Sequence, residues 1–161
     1  MSVVSIERIE VGAERIDAVV AVSDPAFTRT SAVPGLAQRA VALLPGLARH
    51  TCECGSAHGI VAELADTETP HLLEHVAFEL MALSGSPRTL RGETAWDFAA
   101  DGPGVFRVCL GYDDDLVAIA ALRDAVAVVD WLMGVSAARP DVEAIVDGLR
   151  ALRMRPAEEP G

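Results

Sequence analysis

Residues 69–85 read TPHLLEHVAFELMALSG, and the rest of the chain takes its place around this stretch. Thr69 is a helix-capping type, and Pro70 suits the first helical position, where a missing N–H leaves no bond unmade. The helix they open is expected to run to about Leu83 and to stop at Ser84-Gly85-Ser86-Pro87. Upstream, residues 3–11 (VVSIERIEV) and 16–23 (IDAVVAVS) are short and rich in β-branched side chains, so they read as two strands joined by a turn at Gly12-Ala13. Ile16, Ala18, Val20 and Val22 alternate with Asp17, Val19 and Ala21, the pattern of a strand with one buried face. Ser31 is placed to cap a helix over 34–44 that ends at Pro45-Gly46. Residues 48–58 (ARHTCECGSAH) form a polar loop, and Ile60 to Leu64 reads as a short strand.

Downstream, residues 88–102 are mixed and polar, with turn signals at Gly92 and Asp101-Gly102, and 105–111 (VFRVCLG) alternates as a strand. Asp113, Asp114 and Asp115 stand where a helix begins, the end at which negative charge suits its dipole. That helix runs to about Met133 and is apolar nearly all round, so it is expected to be buried. Pro140 opens a last helix over 140–153. This order predicts an α+β fold: one domain over 1–154, helices packed on one face of a largely antiparallel sheet, a C-terminal helical pair, and a loose tail over 155–161.

The 161 residues suffice to bury a core without staples, and with an aromatic share of 4% that core must be aliphatic. The formal net charge is −11, and all 13 basic residues are Arg. An acidic surface repels phosphate backbones, so a nucleic-acid partner is not expected, whereas a cationic ligand is tolerated. The longest apolar stretch, Leu116 to Val129, is broken by Arg123 and Asp124 and is too short and too charged to span a bilayer. Met1-Ser2-Val3-Val4-Ser5 lacks the basic head and apolar run of a signal peptide, so a cytoplasmic protein is expected, with room for a homo-oligomer. Three cysteines, Cys52, Cys54 and Cys109, do not suggest a disulfide framework.

The chemistry concentrates in His71-Leu72-Leu73-Glu74-His75. Four residues apart on a helix, His71 and His75 lie on one face one turn apart, able to bind a single Zn²⁺. Glu74 beside them is placed as a general base rather than a ligand. Zinc lowers the pKa of a bound water from about 15.7 to about 7, and the order His-x-x-Glu-His is the inverted zincin arrangement. A third protein ligand is needed. Asp115 is the first candidate, because inverted zincins take this ligand from a later helix; Asp114 and the thiolate of Cys109 are alternatives. Glu79, a turn beyond His75, is carried away from the metal by the helix. Arg88 and Arg91 follow the helix at once and are candidates to clamp a substrate carboxylate or steady an oxyanion. His50, Cys52, Cys54 and His58 form a second cluster, readable as a separate zinc site, as ordinary loop residues, or as a loop whose His50 or Cys52 lines the cleft.

Three segments resemble the N-terminal domain of cyanophycin synthetases: LLPGLARHTC at 43–52, TPHLLEHVAFELMALSG at 69–85 and PGVFRVCLGYDDD at 103–115, followed by Arg123 before an Ala/Val run. The resemblance spans roughly 31–150 and is loose over 1–30. Cyanophycin is a storage polymer with an aspartate backbone bearing arginines. In the synthetases this domain precedes an ATP-grasp and a Mur-ligase-like domain. The resemblance implies a polymer-binding domain that in some members is a zinc metallopeptidase, with His71 and His75 as metal ligands and Glu74 as base. Those ATP-using domains have no counterpart here, so ligation is not expected of this chain. SPRTLRGETAWDFAADGPG (86–104) is longer than the family's segment and, with Trp96, is expected to reshape the cleft. Asp115 stands where the family commonly has Glu. The expected function is thus zinc-dependent hydrolysis of amide bonds in a peptide or cyanophycin-like polymer. The alternatives are a non-catalytic binding module, a partner of an ATP-grasp or Mur-ligase-type enzyme, or a zinc lyase or isomerase acting on a small metabolite.

Overall fold

The computed structural model describes residues 1–52 and 59–156. In chain order its elements are strands β1 (Val4–Val11) and β2 (Arg15–Val22), helices α1 (Leu36–Leu43), α2 (Ile60–Leu64) and α3 (Thr69–Ser84), strand β3 (Gly92–Ala95), the short helix α4 (Phe98–Asp101), strand β4 (Val105–Gly111), and helices α5 (Asp115–Leu132) and α6 (Val142–Arg153). The strands form one antiparallel sheet in the order β1-β2-β4-β3. Ile16, Ala18 and Val20 stand opposite Leu110, Val108 and Phe106, and all six are buried. The alternate residues Asp17, Arg107 and Cys109 face outward, as the period of two requires. The α+β architecture expected from the sequence is therefore the observed one.

Helix α3 is the centre of the packing. It touches α5, α6, β3 and β4, and Leu72, Leu73, Val76, Ala77, Leu80 and Met81 are fully buried. Helix α5 supplies Ala118, Ala121, Leu122, Ala125 and Val129 to the same core. Small residues let these helices approach closely, which is how a chain poor in aromatic residues fills its interior. Arg39 of α1 closes the last turn of α5: its guanidinium donates to Trp131 O at 3.0 Å and Leu132 O at 3.1 Å and lies 4.6 Å from the centre of the Trp131 ring.

Local structure departs from the sequence reading in three places. Residues 60–64 form a helix, not a strand; Ile60 and Leu64, the two buried residues, are one helical turn apart. Five residues are too few for periodicity to separate the alternatives. The polar stretch 88–102 contains an edge strand, β3, and the helix α4. Pairing with β4 and contact with α3 create that strand: a Cβ on Gly92 would lie 2.5 Å from the Phe78 ring and 2.6 Å from Cys109 O. The caps also shift. Gly35, in the left-handed region, precedes α1 where Ser31 was expected. Glu68 precedes α3, because the Thr69 hydroxyl donates to Phe27 O. Asp141, rather than Pro140, caps α6. Arg155 is tied to Asp114 at 2.8 Å, and 157–161 of the expected loose tail lie outside the described residues. Among the described residues no helix is long and apolar enough to cross a membrane.

One buried polar contact joins the first strand to the helical layer. The Val3 N–H donates to Asp130 Oδ1 of α5 at 2.7 Å. Removing that acceptor strands a buried donor, so Asp130→Ala is expected to lower unfolding stability by about 1–3 kcal/mol in urea titrations. A change under 0.5 kcal/mol would show the contact to be dispensable.

Candidate metal centre

Residues 27–30 and 67–69 lock the start of α3. Thr69 N donates to Thr28 O, Thr30 N to Thr67 O, and Thr67 N to Thr30 Oγ1, all between 2.8 and 2.9 Å. This strap delivers the Thr67 hydroxyl to His71. Thr67 Oγ1 lies 2.9 Å from His71 Nδ1 and donates its own proton to Glu68 Oε2 at 3.2 Å. A hydroxyl that donates to a carboxylate must accept from the ring, so this network assigns the proton of His71 to Nδ1 and leaves Nε2 bare.

That bare nitrogen faces two more donor atoms. His75 Nε2 is 3.0 Å from it and Cys52 Sγ 3.5 Å. Among the described residues Cys52, His71 and His75 form the group whose donor atoms all lie within 4.8 Å of one another. Around tetrahedral Zn²⁺ the nitrogen–nitrogen edge is about 3.3 Å and the nitrogen–sulfur edge about 3.6 Å, close to the two separations measured from His71 Nε2. Burial, opposed by Glu63 and Glu68, lowers the His71 pKa from its ordinary value. Burial, then the neighbouring His71 and His50, lowers that of His75 to about 3. Both rings are thus neutral at physiological pH, the form that ligates. Cys52 is disulfide-bonded in this structure, so its sulfur ligates as thiolate only after reduction.

The three donors open into a cleft of about 790 Å³ whose walls include Glu74, Arg88, Arg91, Thr94 and Trp96. Glu74 lies outside the Cys52, His71 and His75 group. Its Oε2 accepts from Thr94 Oγ1 of β3 at 2.5 Å. Burial, against the opposing Thr94 bond, raises its pKa to about 7. Trp96 stacks with Phe98 and packs on Phe106, which fixes an exposed indole at the cleft wall.

The structure does not bring the other predicted ligands here. Asp115 is half-buried in the first turn of α5, 3.9 Å from Arg155. Asp114 caps that helix, accepting from Val117 N, and is paired with Arg155. Neither lines the cleft. The cationic end of α6 and the α5 dipole claim both carboxylates. Cys109 projects from the outward face of β4, donates to Asp17 Oδ1, and has its thiol pKa raised to about 11 by burial and by Asp17. The third side chain that the structure places beside the two imidazoles is Cys52, where the sequence reading looked first to Asp115. The reading that put His50 or Cys52 in the cleft matches the geometry, while Cys54 and His58 lie outside the described residues. Arg88, expected to face substrate, grips Glu79 with two bonds of 2.8 and 3.1 Å. Sequence reasoning missed Thr67 and Thr94. Thr67 precedes α3 and reaches His71 because the strap to residues 27–30 turns it back over the first turn of the helix, and Thr94 reaches Glu74 only through sheet pairing, so neither is encoded by a local spacing.

The sequence profile of the cyanophycin synthase-like N-terminal domain matches residues 18–134. Cyanophycin synthetase of Synechocystis sp. is 31% identical over 127 residues, and that of Crocosphaera subtropica is likewise 31% identical over 127 residues. Each alignment covers 76% of this chain and 13% of the relative, so the chain spans a small part of the length of these proteins.

Glu74 gives the metal-free protein a distinctive pH signature. Its folded pKa of about 7 lies above the unfolded value of 4.5, so its contribution to stability is full below pH 4.5 and is lost as pH rises through 7. The Glu74→Gln variant lacks that loss. Relative to wild type it is expected to gain about 3 kcal/mol between pH 4.5 and 8 in chelator-treated urea titrations. Parallel pH profiles for the two proteins would contradict this account of Glu74.

Proposed function

Because the chain belongs to the cyanophycin synthase-like N-terminal domain family, we propose that its cleft is the site of a zinc-dependent hydrolase of amide bonds. The observation that carries this reading is the convergence of His71 Nε2, His75 Nε2 and Cys52 Sγ within 4.8 Å, with a buried carboxylate from the same helix in the same cleft. His71, His75 and, once reduced, Cys52 would hold the ion. When bound, Zn²⁺ supplies a Lewis acid that makes water acidic near neutral pH. Glu74 takes a proton from the attacking water and returns it to the leaving amine, a task suited to a carboxyl group poised near pH 7. Thr94 holds that carboxylate in place.

The lining suits a substrate bearing both signs of charge. Glu63, Glu68 and Glu93 stand beside Arg49 and Arg91 around the cleft. A polymer of aspartate residues carrying arginine, like the product for which the relatives are named, complements that mixture. One observation favours the second reading, a non-catalytic polymer-binding module or partner of an ATP-grasp or Mur-ligase-type enzyme: the disulfide at Cys52 withholds one ligand.

Protein purified under reducing conditions without added metal is expected to carry about one zinc per chain and to release short Arg/Asp peptides from cyanophycin. Glu74→Gln is expected to retain the zinc and to lose about 10²- to 10⁴-fold in turnover. Zinc-loaded protein that binds the polymer without releasing peptides supports the binding module. Protein that takes up no zinc, with Glu74→Gln indistinguishable from wild type, ends the hydrolase reading.

A further inference from the structure

Two imidazole nitrogens 3.0 Å apart have two stable arrangements. With a proton on His75 Nε2 they close into a hydrogen bond, and no cation enters. With that proton on Nδ1 both Nε2 atoms are bare, and the pair can take an ion but not each other. The outcome depends on what faces the far side of His75.

His50 faces it. Its Nδ1 lies 3.0 Å from His75 Nδ1, and its Nε2 lies 2.7 Å from Glu79 Oε2. His75 and Glu79 are one turn apart on α3, and the His50 ring bridges them from the end of the Pro45–Arg49 turn. Glu79 is fully buried, and its carboxylate accepts two bonds from Arg88 besides the one from His50. Gly46 allows the turn to lie against it, since a Cβ there would stand 1.9 Å from Glu79 Oε1. An ionised carboxylate accepts and cannot donate, so it fixes the His50 proton on Nε2. In a singly protonated His50 ring Nδ1 is then an acceptor, and the proton of His75 goes to Nδ1.

We propose that Glu79, acting through His50, is a positioning group that sets the tautomer of His75 and so holds the paired imidazoles open to a cation. Its effect on metal affinity rests on the metal-centre reading above; its effect on the tautomer does not. Arg88 neutralises the relay's buried carboxylate rather than meeting a substrate.

Imidazole ¹⁵N shifts of the metal-free protein report the tautomer directly. Wild type is expected to show His75 protonated at Nδ1. His50→Leu removes the acceptor and is expected to move that proton to Nε2 and to weaken zinc binding, measured by chelator competition, about 10- to 100-fold. His50→Asn, whose amide oxygen can accept from Nδ1–H, is expected to keep the wild-type tautomer and to stay within a few fold in affinity. Circular dichroism checks that each variant is folded, and the wild-type spectrum decides the matter should His50→Leu fail to fold. Wild-type His75 protonated at Nε2, or a folded His50→Leu with an unchanged tautomer, overturns the proposal. Correct tautomers in a protein that takes up no zinc leave the relay standing and remove the metal-centre reading alone.

Discussion

Burying His71, Glu74, His75 and Glu79 on a helix that is otherwise aliphatic imposes a strict condition on everything around it. A buried polar group without a partner costs on the order of 1–3 kcal/mol, and a buried charge more, so each of these side chains must be met by a donor or acceptor brought from elsewhere. The fold meets the condition piece by piece. The strap at 27–30 positions Thr67 for His71, strand β3 supplies Thr94 to Glu74, and the Pro45–Arg49 turn brings His50 to His75 and Glu79. Arg88, just past the end of α3, returns to Glu79. Four separate segments are thereby committed to one helix.

That commitment explains how a mixed-charge cleft coexists with a core made of Ala, Val, Leu and Ile. The aliphatic residues of α3 are in contact with the sheet and the C-terminal helices, while its polar residues are served by the edge strand β3 and by segments outside the regular elements. Glu79 shows the balance of effects within this arrangement. Burial acts to raise its pKa, but the hydrogen bonds from His50 and Arg88 outweigh burial and hold the carboxyl below its ordinary value. Glu74 has a single hydroxyl against the same penalty, and its pKa rises. Two carboxyl groups five residues apart therefore differ in charge state near neutrality, one suited to carrying protons and the other to anchoring them.

The acidic run Asp113–Asp115 illustrates how local demands can divert residues from a site. Its position at a helix start was read correctly, and the same position supplied the reason to expect a ligand there. Yet Asp114 caps the helix, Asp113 pairs with Arg153, and Arg155 reaches Asp114. A helix N-terminus and two cations, Arg153 at the end of α6 and Arg155 just beyond it, draw the negative charge to that end of the molecule.

By itself, the sequence determined what depends on short spacings. Strand β1 followed from β-branched content, β2 and β4 from alternation, helices α3 and α5 from their start and stop signals, and the pairing of His71 with His75 beside Glu74 from one helical turn. Tertiary structure alone decided which side chain stands beside the two imidazoles, the partners of Glu74 and Glu79, and the existence of β3. Cys52 is 19 residues from His71, His50 is 29 from Glu79, and Thr94 is 20 from Glu74. No local periodicity encodes such pairs, because they are chosen by whichever surface segment can satisfy a buried polar atom once the helix has been packed.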